Sequence, residues 1–404
     1  MAAKRPLQSR VGAAGWLRTN LFSNWWNTII SLLAIALSLW LLFVFAKFLF
    51  IDANWDRVWA NLRLLTVFRY PADLLWRPML VIVFLMTLFG ASAGLSGEGT
   101  GAILRSTFRW LLGLVGLIAL ISLFAFPAVR IWWLLAIAFA LGGYRLGRHF
   151  PVPVSRPLAW LWGASWIVTL LILYGVGPEE SSSPFRLVPA TLWGGILLTF
   201  FLSITGIVVS FPLGVALALG RQSRLPIIKG ICIGFIEIIR GAPLISWLFI
   251  ASLVLPLIIG ANPPAIWRAQ VAIILFAAAY LAENVRGGLQ SVPRGQTEAS
   301  RALGMSGWGT TRLIVLPQAL RAVIPAIVGL FIGLFKDTSL VTIVGLSDLF
   351  AVGITVTNQP ESLLVTGGVT REAFIFMALF FWFFSYRMSV ASRQLERQLG
   401  LGER

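Results

Sequence analysis

Charged residues interrupt otherwise apolar stretches of the sequence, and they are the first candidates for chemistry. Glu237 and Arg240 lie three residues apart in the run IEIIRGAP, a spacing that places both on one helical face, where they can neutralise each other. Gly241 and Pro243 follow and break the helix, so that two half-helices could meet near the middle of the membrane and bind a zwitterion. A substrate contact and a structural ion pair at a kink both remain open.

Opposite charges recur at two further points. Glu283 and Arg286 are again three apart, near the end of an apolar run, and we expect a structural pair that links this run to the polar segment after it. A second polar group lies between two apolar runs and consists of Lys336, Asp337, Thr338 and Ser339. Its adjacent lysine and aspartate could bind the carboxylate and the amine of an amino acid, or could pair with Arg240 and Glu237 instead.

The sequence offers little support for catalysis. It has one histidine, His149, in a polar run, and one cysteine, Cys232, in an apolar run where it is expected to pack. The phosphate-binding motif G-x-x-x-x-G-K-[ST] is missing from the sequence, so the chain is not expected to hydrolyse ATP itself. We therefore predict no catalytic residue, no metal site and no cofactor held by this chain.

Composition indicates a helical membrane protein. Of the 404 residues, 58% are hydrophobic and only 12% are charged, about half the charged share of an ordinary soluble domain; the mean hydropathy is +0.88. The formal net charge of +17 comes mostly from basic residues in short segments between apolar runs, which sets membrane topology and argues against a nucleic-acid partner. The predicted fold class is an all-α polytopic membrane protein.

About ten stretches are predicted to cross the bilayer as helices, a task that needs about twenty apolar residues. They are 28–46, 78–96, 107–126, 131–144, 157–177, 190–219, 226–258, 266–287, 318–345 and 372–390. The stretch 131–144 is short enough to be a re-entrant piece instead. The positive-inside rule places the basic segments 1–26 and 393–404 in the cytoplasm and the acidic segment 177–183 outside. Residues 1–26 carry no pattern of a removable signal peptide.

This pattern predicts two membrane regions, an N-terminal extension of about five helices at 27–180 and a five-helix core at 190–392. The polar, proline-bearing segment 177–190 reads as the linker between them. Within the extension, 51–77 combines balanced charges with apolar residues at helical spacing, which predicts an interfacial helix on the outside. A docking surface for an external protein is the alternative. For the rest of the extension the sequence indicates a structural scaffold and no further function.

A polar segment, residues 291–317, separates the third and fourth core helices and must lie in water on the cytoplasmic side. Its chemistry predicts two short helices joined by a glycine elbow. Thr297 and Glu298 provide a capping hydroxyl and an anion at a first turn. Gly304 can take the positive φ that ends a helix, and Pro317 interrupts ordinary helical hydrogen bonding after a second turn.

The same segment resembles the signature of ABC importer permeases, E-A-A-x3-G-x9-I-x-L-P. The matching residues are Glu298, Ala299, Ser300, Gly304, Ile314, Leu316 and Pro317, with serine in place of the second alanine. Flanking stretches at 191–226, 236–244, 279–304 and 336–345 are similar to blocks of the polar amino acid permeases of the histidine/glutamine type. The resemblance covers residues 190–392, about half of the chain, and the N-terminal extension is similar to that of long general L-amino acid permease subunits.

The resemblance implies a type I ABC importer core in a bacterial cytoplasmic (inner) membrane, with L-amino acids as substrates. It implies as partners a dimer of ABC ATPases that binds ATP and Mg²⁺, a second permease subunit, identical or homologous, and an external amino acid-binding protein. Residues 291–317 would then form the coupling helix that docks in a groove of the ATPase. Glu298, Ala299, Ser300 and Gly304 would make this contact, and Leu316 and Pro317 would fix the return into the bilayer. An ion-driven carrier and an integral membrane enzyme or scaffold are the rival classes.

Overall fold

A computed structural model describes residues 12–96, 100–125, 129–149, 155–365 and 367–400, and among them it contains helices and no β-strand. The predicted all-α class is confirmed. The predicted N-terminal tail up to residue 11 and the C-terminal residues 401–404 lie outside the described residues. The α-helices are α1 (Ala13–Asn20), α2 (Trp25–Lys47), α3 (Trp55–Ala60), α4 (Leu62–Val67), α5 (Trp76–Leu95), α6 (Thr100–Ala125), α7 (Arg130–His149), α8 (Ser155–Tyr174), α9 (Gly195–Arg221), α10 (Pro226–Arg240), α11 (Leu244–Phe249), α12 (Leu255–Ile259), α13 (Ala265–Ser291), α14 (Arg294–Ala302), α15 (Gly307–Thr310), α16 (Leu316–Asp337), α17 (Leu349–Thr357), α18 (Pro360–Leu363) and α19 (Thr370–Gln398).

Seven helical stretches in the described part of the chain are long and apolar enough to cross a membrane, and an eighth joins them if a bent pair counts as one span. The seven are Trp25–Asp52, Ala72–Leu95, Gly101–Ser122, Gly195–Arg221, Ala265–Ser291, Gly307–Val344 and Thr370–Gln398. The bent pair consists of Pro226–Arg240 and Leu244–Ile259, which meet at 104°. The two remaining predicted crossings coincide with α7 and α8, so the helix count agrees roughly with the expected ten.

The chain divides into two compact units, residues 1–59 and 60–404. In the first unit, the side chain of Asn24 caps α2 by accepting a hydrogen bond of 2.8 Å from the backbone N–H of Asn27. None of the residues of α2 is buried, and the helix is apolar on all sides, as expected for a segment surrounded by lipid. The rings of Trp25 and Trp26 stack with their centroids 3.9 Å apart at its first turn, where aromatic residues commonly mark a membrane interface.

The centre of the second unit is the contact between α9 and α13. Small residues let the two helices approach closely, as is common in membrane helix pairs: a Cβ on Gly214 would lie only 2.8 Å from the backbone oxygen of Ala278. Larger side chains such as Leu202 and Ile273 fill the rest of this interface and are almost completely buried. Helix α16 packs against α13, and the polar loop 291–317 connects these two helices.

Helices α5 and α7 form a second close pair in the N-terminal extension. Each contributes two glycines spaced four apart, where a Cβ would overlap a backbone oxygen of the other helix: Gly90, Gly94, Gly143 and Gly147. The seam therefore depends on the absence of side chains at these positions. Helix α6 connects this region to the core through α19, because the ring of Trp110 lies 4.6 Å from that of Phe383.

The segment predicted as an interfacial helix is built differently. From residue 62 onward it forms the short helix α4 and a 3₁₀ turn, with Leu65, Tyr70 and Leu74 buried in the protein. A Cβ on Gly195, whose φ is +58°, would overlap the backbone oxygen of Leu65, so α4 lies directly against the start of α9. The prediction of an interfacial helix is wrong for this part, because its apolar side chains face the protein core and not lipid.

The proline-bearing segment 177–190 is held against the extension by Arg77. The guanidinium of Arg77 donates hydrogen bonds to the backbone oxygens of Pro184 at 2.7 Å and Arg186 at 2.7 Å, and Arg77 is almost completely buried. Arg186 in turn forms an ion pair of 2.8 Å with Asp73. The segment that reads as a linker in the sequence is therefore fixed in place within the second unit.

Candidate coupling loop and charge cluster

The polar loop between α13 and α16 has two arms. The first arm, α14, begins at Arg294 directly after Pro293, which has φ −58° and ψ 136°. Because the helix starts here, Thr297 and Glu298 lie in its second turn, and no side chain caps its N-terminus. The prediction that these two residues form the first turn is wrong, because the helix begins at Arg294, directly after Pro293, whose ring fixes its own φ.

The elbow between the arms lies at Gly304, as predicted. Its φ is +75°, and its N–H donates to the backbone oxygen of Arg301 at 2.9 Å, while the N–H of Met305 donates to the oxygen of Ser300 at 3.1 Å. This pair of hydrogen bonds is the Schellman arrangement that closes many helices with a left-handed glycine. Space around the missing Cβ is open, so the backbone conformation alone favours glycine here.

The second arm begins with α15 and runs without a break into α16. Ser306 caps it, because its Oγ accepts a hydrogen bond of 3.1 Å from the N–H of Gly309. A π turn at Thr311–Val315 follows, and Pro317 lies in the first turn of α16, where its missing N–H is tolerated. The second arm is thus continuous with the helical stretch Gly307–Val344.

A buried hydrogen bond joins the two arms. Ser300 Oγ lies 3.0 Å from Thr310 Oγ1 and 2.9 Å from the backbone oxygen of Thr297, and only 1% of Ser300 and 3% of Thr310 are exposed. Serine stands here in place of the second alanine of the E-A-A signature, and its hydroxyl has a partner because Thr310 is opposite. The serine is apparent in the sequence, whereas its partner Thr310, ten residues further along, was not predicted.

The outer surface of the loop carries large apolar side chains. Leu303 is 81% exposed, Trp308 66% and Leu313 67%, and Glu298 and Arg301 on the first arm are also exposed. Three large exposed apolar side chains on a polar loop are typical of a binding surface, since tryptophan is enriched among the residues that dominate interface energies.

The charged residues near the break in the bent span form one cluster. Its members come from three helices: Arg221 at the end of α9, Glu237 and Arg240 on α10, and Glu283 and Arg286 on α13.

The ion pairs inside this cluster differ from those predicted. Glu237 pairs with Arg221 at 3.0 Å, and Arg240 pairs with Glu283 at 3.5 Å, so the expected neutralisation of Glu237 by Arg240 is wrong. Glu283 Oε1 accepts a hydrogen bond of 2.8 Å from Arg286 Nε, which confirms that predicted pair. Arg221 is the last residue of α9, so its ion pair with Glu237 brings the C-terminal part of α10 beside the end of α9. That the two half-helices meet near the middle of the membrane stays a prediction.

The polar group 336–339, at the C-terminal end of α16, takes part in none of the ion pairs of this cluster. Thr338 Oγ1 donates to the backbone oxygen of Phe335 and Ser339 Oγ to that of Lys336, both at 2.8 Å. Since Arg240 and Glu237 have other partners, the alternative in which they pair with Lys336 and Asp337 is wrong. Lys336 is exposed and Thr338 is buried, and whether this group contacts a substrate remains a prediction.

The carboxyl group of Asp348 is buried, which was not predicted from the sequence. It caps α17 by accepting hydrogen bonds of 3.1 Å from the N–H groups of Phe350 and Ala351, and it accepts another of 2.6 Å from the hydroxyl of Thr342. Burial raises the pKa of Asp348 to about 6, and these hydrogen bonds offset only part of the effect. No group of three possible metal-ligating side chains occurs in the described residues.

Together these features define a class of protein: a multi-pass helical membrane protein whose polar two-armed loop projects from two packed apolar helices. The chain belongs to the inner membrane components of binding-protein-dependent transport systems, a family whose sequence profile matches residues 210–400. It is therefore an inner-membrane transport component and not an enzyme, and the rival class of an ion-driven carrier is set aside.

Two relatives align over nearly the whole chain. The glutamate/glutamine/aspartate/asparagine transport system permease protein BztC of Rhodobacter capsulatus is 38% identical, over 99% of this chain and 96% of the relative. The inner membrane amino-acid ABC transporter permease protein YhdY of Escherichia coli K12 is 36% identical, over 96% of this chain and 93% of the relative. A chain of a crystal structure described as an amino acid ABC transporter with histidines is 28% identical, covers 50% of this chain and 90% of its own, and superposes with a TM-score of 0.45.

Proposed function

We propose that this chain is a permease subunit of an ATP-driven importer of L-amino acids and that the loop 291–317 couples it to an ATPase. The observation that carries the coupling role is the exposed apolar surface of Leu303 and Trp308 on a loop whose two arms are joined internally by Ser300 and Thr310. A partner bound at Trp308 could move α13 and α16, because the hydrogen bond between the two arms makes the loop move as one body. The names of the relatives support the transport of amino acids.

The proposed contact with the ATPase consists of the E-A-A residues and the elbow. Glu298 and Ala299 are exposed on α14, so the small alanine permits close approach while the carboxylate can pair with a basic residue of the partner. Gly304 sets the angle between the arms. Leu316 and Pro317 begin the helix that returns into the bilayer.

The proposed assembly contains further chains. A dimer of ABC ATPases would bind ATP and Mg²⁺, a second permease subunit, identical or homologous, would complete the path, and an external amino acid-binding protein would deliver the substrate. The positive-inside rule favours cytoplasmic termini and a cytoplasmic loop 291–317 in this arrangement. The domain boundaries follow the same scheme, with an extension at 27–180 and a permease core at 190–392.

In this mechanism ATP binding acts through the loop. Closure of the ATPase pair would move α14 and α15 together, because a buried hydrogen bond joins them. Only two residues separate α14 from the end of α13, and the second arm is continuous with α16. The motion would therefore reach both core helices, and a difference in contact between the two ATPase states is what can shift the permease between its conformations.

Trp308 provides the test of this proposal. We expect Trp308→Ala to weaken binding of the ATPase by tenfold or more, as for truncation of a central interface tryptophan, and to abolish ATP-dependent uptake of labelled amino acids. Trp382→Ala is the matched control, since Trp382 is 60% exposed on the membrane helix α19. Co-purification of a Walker-motif ATPase with the wild-type chain and the control, and its loss with Trp308→Ala, supports the proposal. Full retention of the ATPase by Trp308→Ala contradicts it.

A further inference from the structure

Two arginines of the second unit lie within predicted membrane spans and have no anionic partner. Arg109 belongs to α6 and Arg387 belongs to α19. Among the residues that the structure describes, neither arginine has a carboxylate within 4.0 Å. A positive charge inside a membrane segment is costly when nothing compensates it, so its position calls for a partner from outside the chain.

Arg387 has the greater need of such a partner. The residue is partly buried, and its Nε is buried without a hydrogen-bond partner. Its guanidinium lies over the ring of Trp110 on α6, with the carbon atom 4.7 Å from the ring centroid. A cation–π contact stabilises the charge but supplies no hydrogen-bond acceptor. The guanidinium therefore remains able to bind an anion.

The protein side of this contact is aromatic. The ring centroid of Trp110 lies 4.6 Å from that of Phe383 and 6.2 Å from that of Phe384. Tyr386, the residue before Arg387, is 49% exposed. Aromatic rings of this kind are typical of the membrane–water boundary, where the apolar part of a ring contacts acyl chains and polar groups reach the lipid headgroups. The seam between α6 and α19 thus combines an apolar surface with positive charge.

The predicted topology places this seam near the cytoplasmic side of the membrane. The span 107–126 is the third to cross and begins in the cytoplasm, whereas the span 372–390 ends there. Arg109 lies near the start of the first span and Arg387 near the end of the second. The cytoplasmic leaflet attracts basic residues through its anionic lipids, and basic pockets between membrane helices on this side bind their headgroups.

We infer that the seam between α6 and α19 binds the phosphate group of an anionic phospholipid from the cytoplasmic leaflet. The phosphate accepts hydrogen bonds from the planar guanidinium of Arg387, and the exposed Arg109 adds a second positive charge. A phospholipid supplies this anion together with apolar chains, which suits a cation that lies among aromatic rings. The lipid would connect the predicted extension, which contains α6, to the predicted core, which contains α19.

The test compares two lipids with the same acyl chains, phosphatidylglycerol and phosphatidylcholine. Retention of each by the purified protein, with any subunits that co-purify, is measured by native mass spectrometry. Wild type is expected to prefer phosphatidylglycerol by about fivefold or more, the effect of one arginine near an anionic headgroup. In Arg387→Gln this preference falls toward one.

Arg393→Gln is the matched control for the loss of charge. Arg393 is exposed on the same helix, where its Nη1 donates a hydrogen bond of 2.6 Å to the hydroxyl of Ser389, and its replacement is expected to keep the wild-type preference. Arg109→Gln decides the question if Arg387→Gln cannot be purified, because a change at an exposed position spares the packing. The preference of Arg109→Gln is expected to fall below that of Arg393→Gln.

Three results would overturn the inference. The first is a wild-type preference for phosphatidylglycerol in Arg387→Gln, and the second is an equal loss of preference in Arg393→Gln. The third is complete displacement of the bound lipid by excess sn-glycerol 3-phosphate, which would identify a site for soluble phosphate esters. Loss of a second permease subunit from Arg387→Gln, with the lipid preference unchanged, belongs to the first result and would assign Arg387 to a contact between subunits.

Discussion

The hydroxyl oxygens of Ser300 and Thr310 lie 3.0 Å apart between the two arms of the loop, where both side chains are buried. This hydrogen bond spans the elbow at Gly304 and fixes the relative orientation of α14 and α15. A loop that transmits force needs such a connection, because a hinge free to bend at Gly304 would absorb the motion.

We predict that Thr310→Val destabilises the loop by about 1 kcal/mol, the usual net contribution of a buried hydrogen bond. Thermal unfolding and ATP-driven uptake of the purified complex would both detect the loss. Adding Ser300→Ala should recover part of it, since the double variant leaves no buried hydroxyl without its cross-arm partner. Gln318→Ala is the control, because Gln318 and Gln296 meet only through an exposed contact of 3.4 Å. Strictly additive effects of the two buried substitutions would count against the connection.

Gly304 provides a second prediction. Valine strongly disfavours a φ of +75°, and we expect Gly304→Val to cost about 1–2 kcal/mol locally and to uncouple ATP hydrolysis from uptake while the protein still inserts. Asparagine tolerates the left-handed region, so Gly304→Asn should retain most of the coupling. The ratio of ATP hydrolysed to substrate imported is the quantity to measure. Equal ratios in the two variants would mean that the backbone angle is irrelevant.

Neighbouring glycines on α7 permit a matched comparison. A Cβ on Gly143 would overlap the backbone oxygen of Thr87 on α5, whereas nothing lies within 4 Å of a Cβ on Gly142. We predict that Gly143→Ala destabilises the protein by about 1–3 kcal/mol through overpacking and that Gly142→Ala is neutral or slightly stabilising. Thermal unfolding in detergent tests both variants. The same melting temperature for the two would argue against close packing of α5 and α7.

The raised pKa of Asp348, about 6, predicts a pH dependence of stability. Because ionisation is harder in the folded state than in the unfolded state, the contribution of Asp348 to the free energy of unfolding is largest below pH 4 and falls as the pH rises from about 4 to about 6. The free energy of unfolding falls by on the order of 3 kcal/mol in total, because each unit of pKa difference corresponds to about 1.4 kcal/mol. Asp348→Asn should therefore become more stable relative to wild type over this range.

Melting temperatures measured at several values between pH 4 and pH 7 test the prediction for Asp348. Glu361→Gln serves as control, since Glu361 is exposed and its replacement should leave the pH profile of wild type unchanged. A constant difference between wild type and Asp348→Asn at all pH values would be inconsistent with a carboxyl group that titrates in this range.

Local features of the fold could be predicted from the sequence because they depend on neighbouring residues. Apolar length defined the helices, and Gly304 was predicted to end α14. The pair of Glu283 and Arg286 could be predicted because both lie on α13. The pairs of Glu237 with Arg221 and of Glu283 with Arg240 could not be predicted, since their partners lie on different helices. The same limit applies to Thr310 as the partner of Ser300: the pairing exists only after the loop has folded back on itself.

The start of α14 was missed for a different reason. Thr297 and Glu298 are good residues for a first turn, but the helix already begins at Arg294, directly after Pro293, whose ring fixes its own φ. Pro293 and the pair Thr297 and Glu298 could both mark the start of a helix, and α14 begins directly after the one that comes first in the chain. The burial of residues 62–74 likewise depends on α9, more than a hundred residues further along the chain.

Arg77 limits how this protein can be divided. Its guanidinium is held by the carbonyl groups of Pro184 and Arg186, which lie in the stretch where a chain shortened to the family core would begin. A cut there would leave the buried Arg77 on one fragment without its carbonyl partners on the other. It would also remove the backbone of Leu65 that packs on Gly195. Hybrids that join the first half of one relative to the second half of another should therefore succeed only when both sides of this contact come from the same parent.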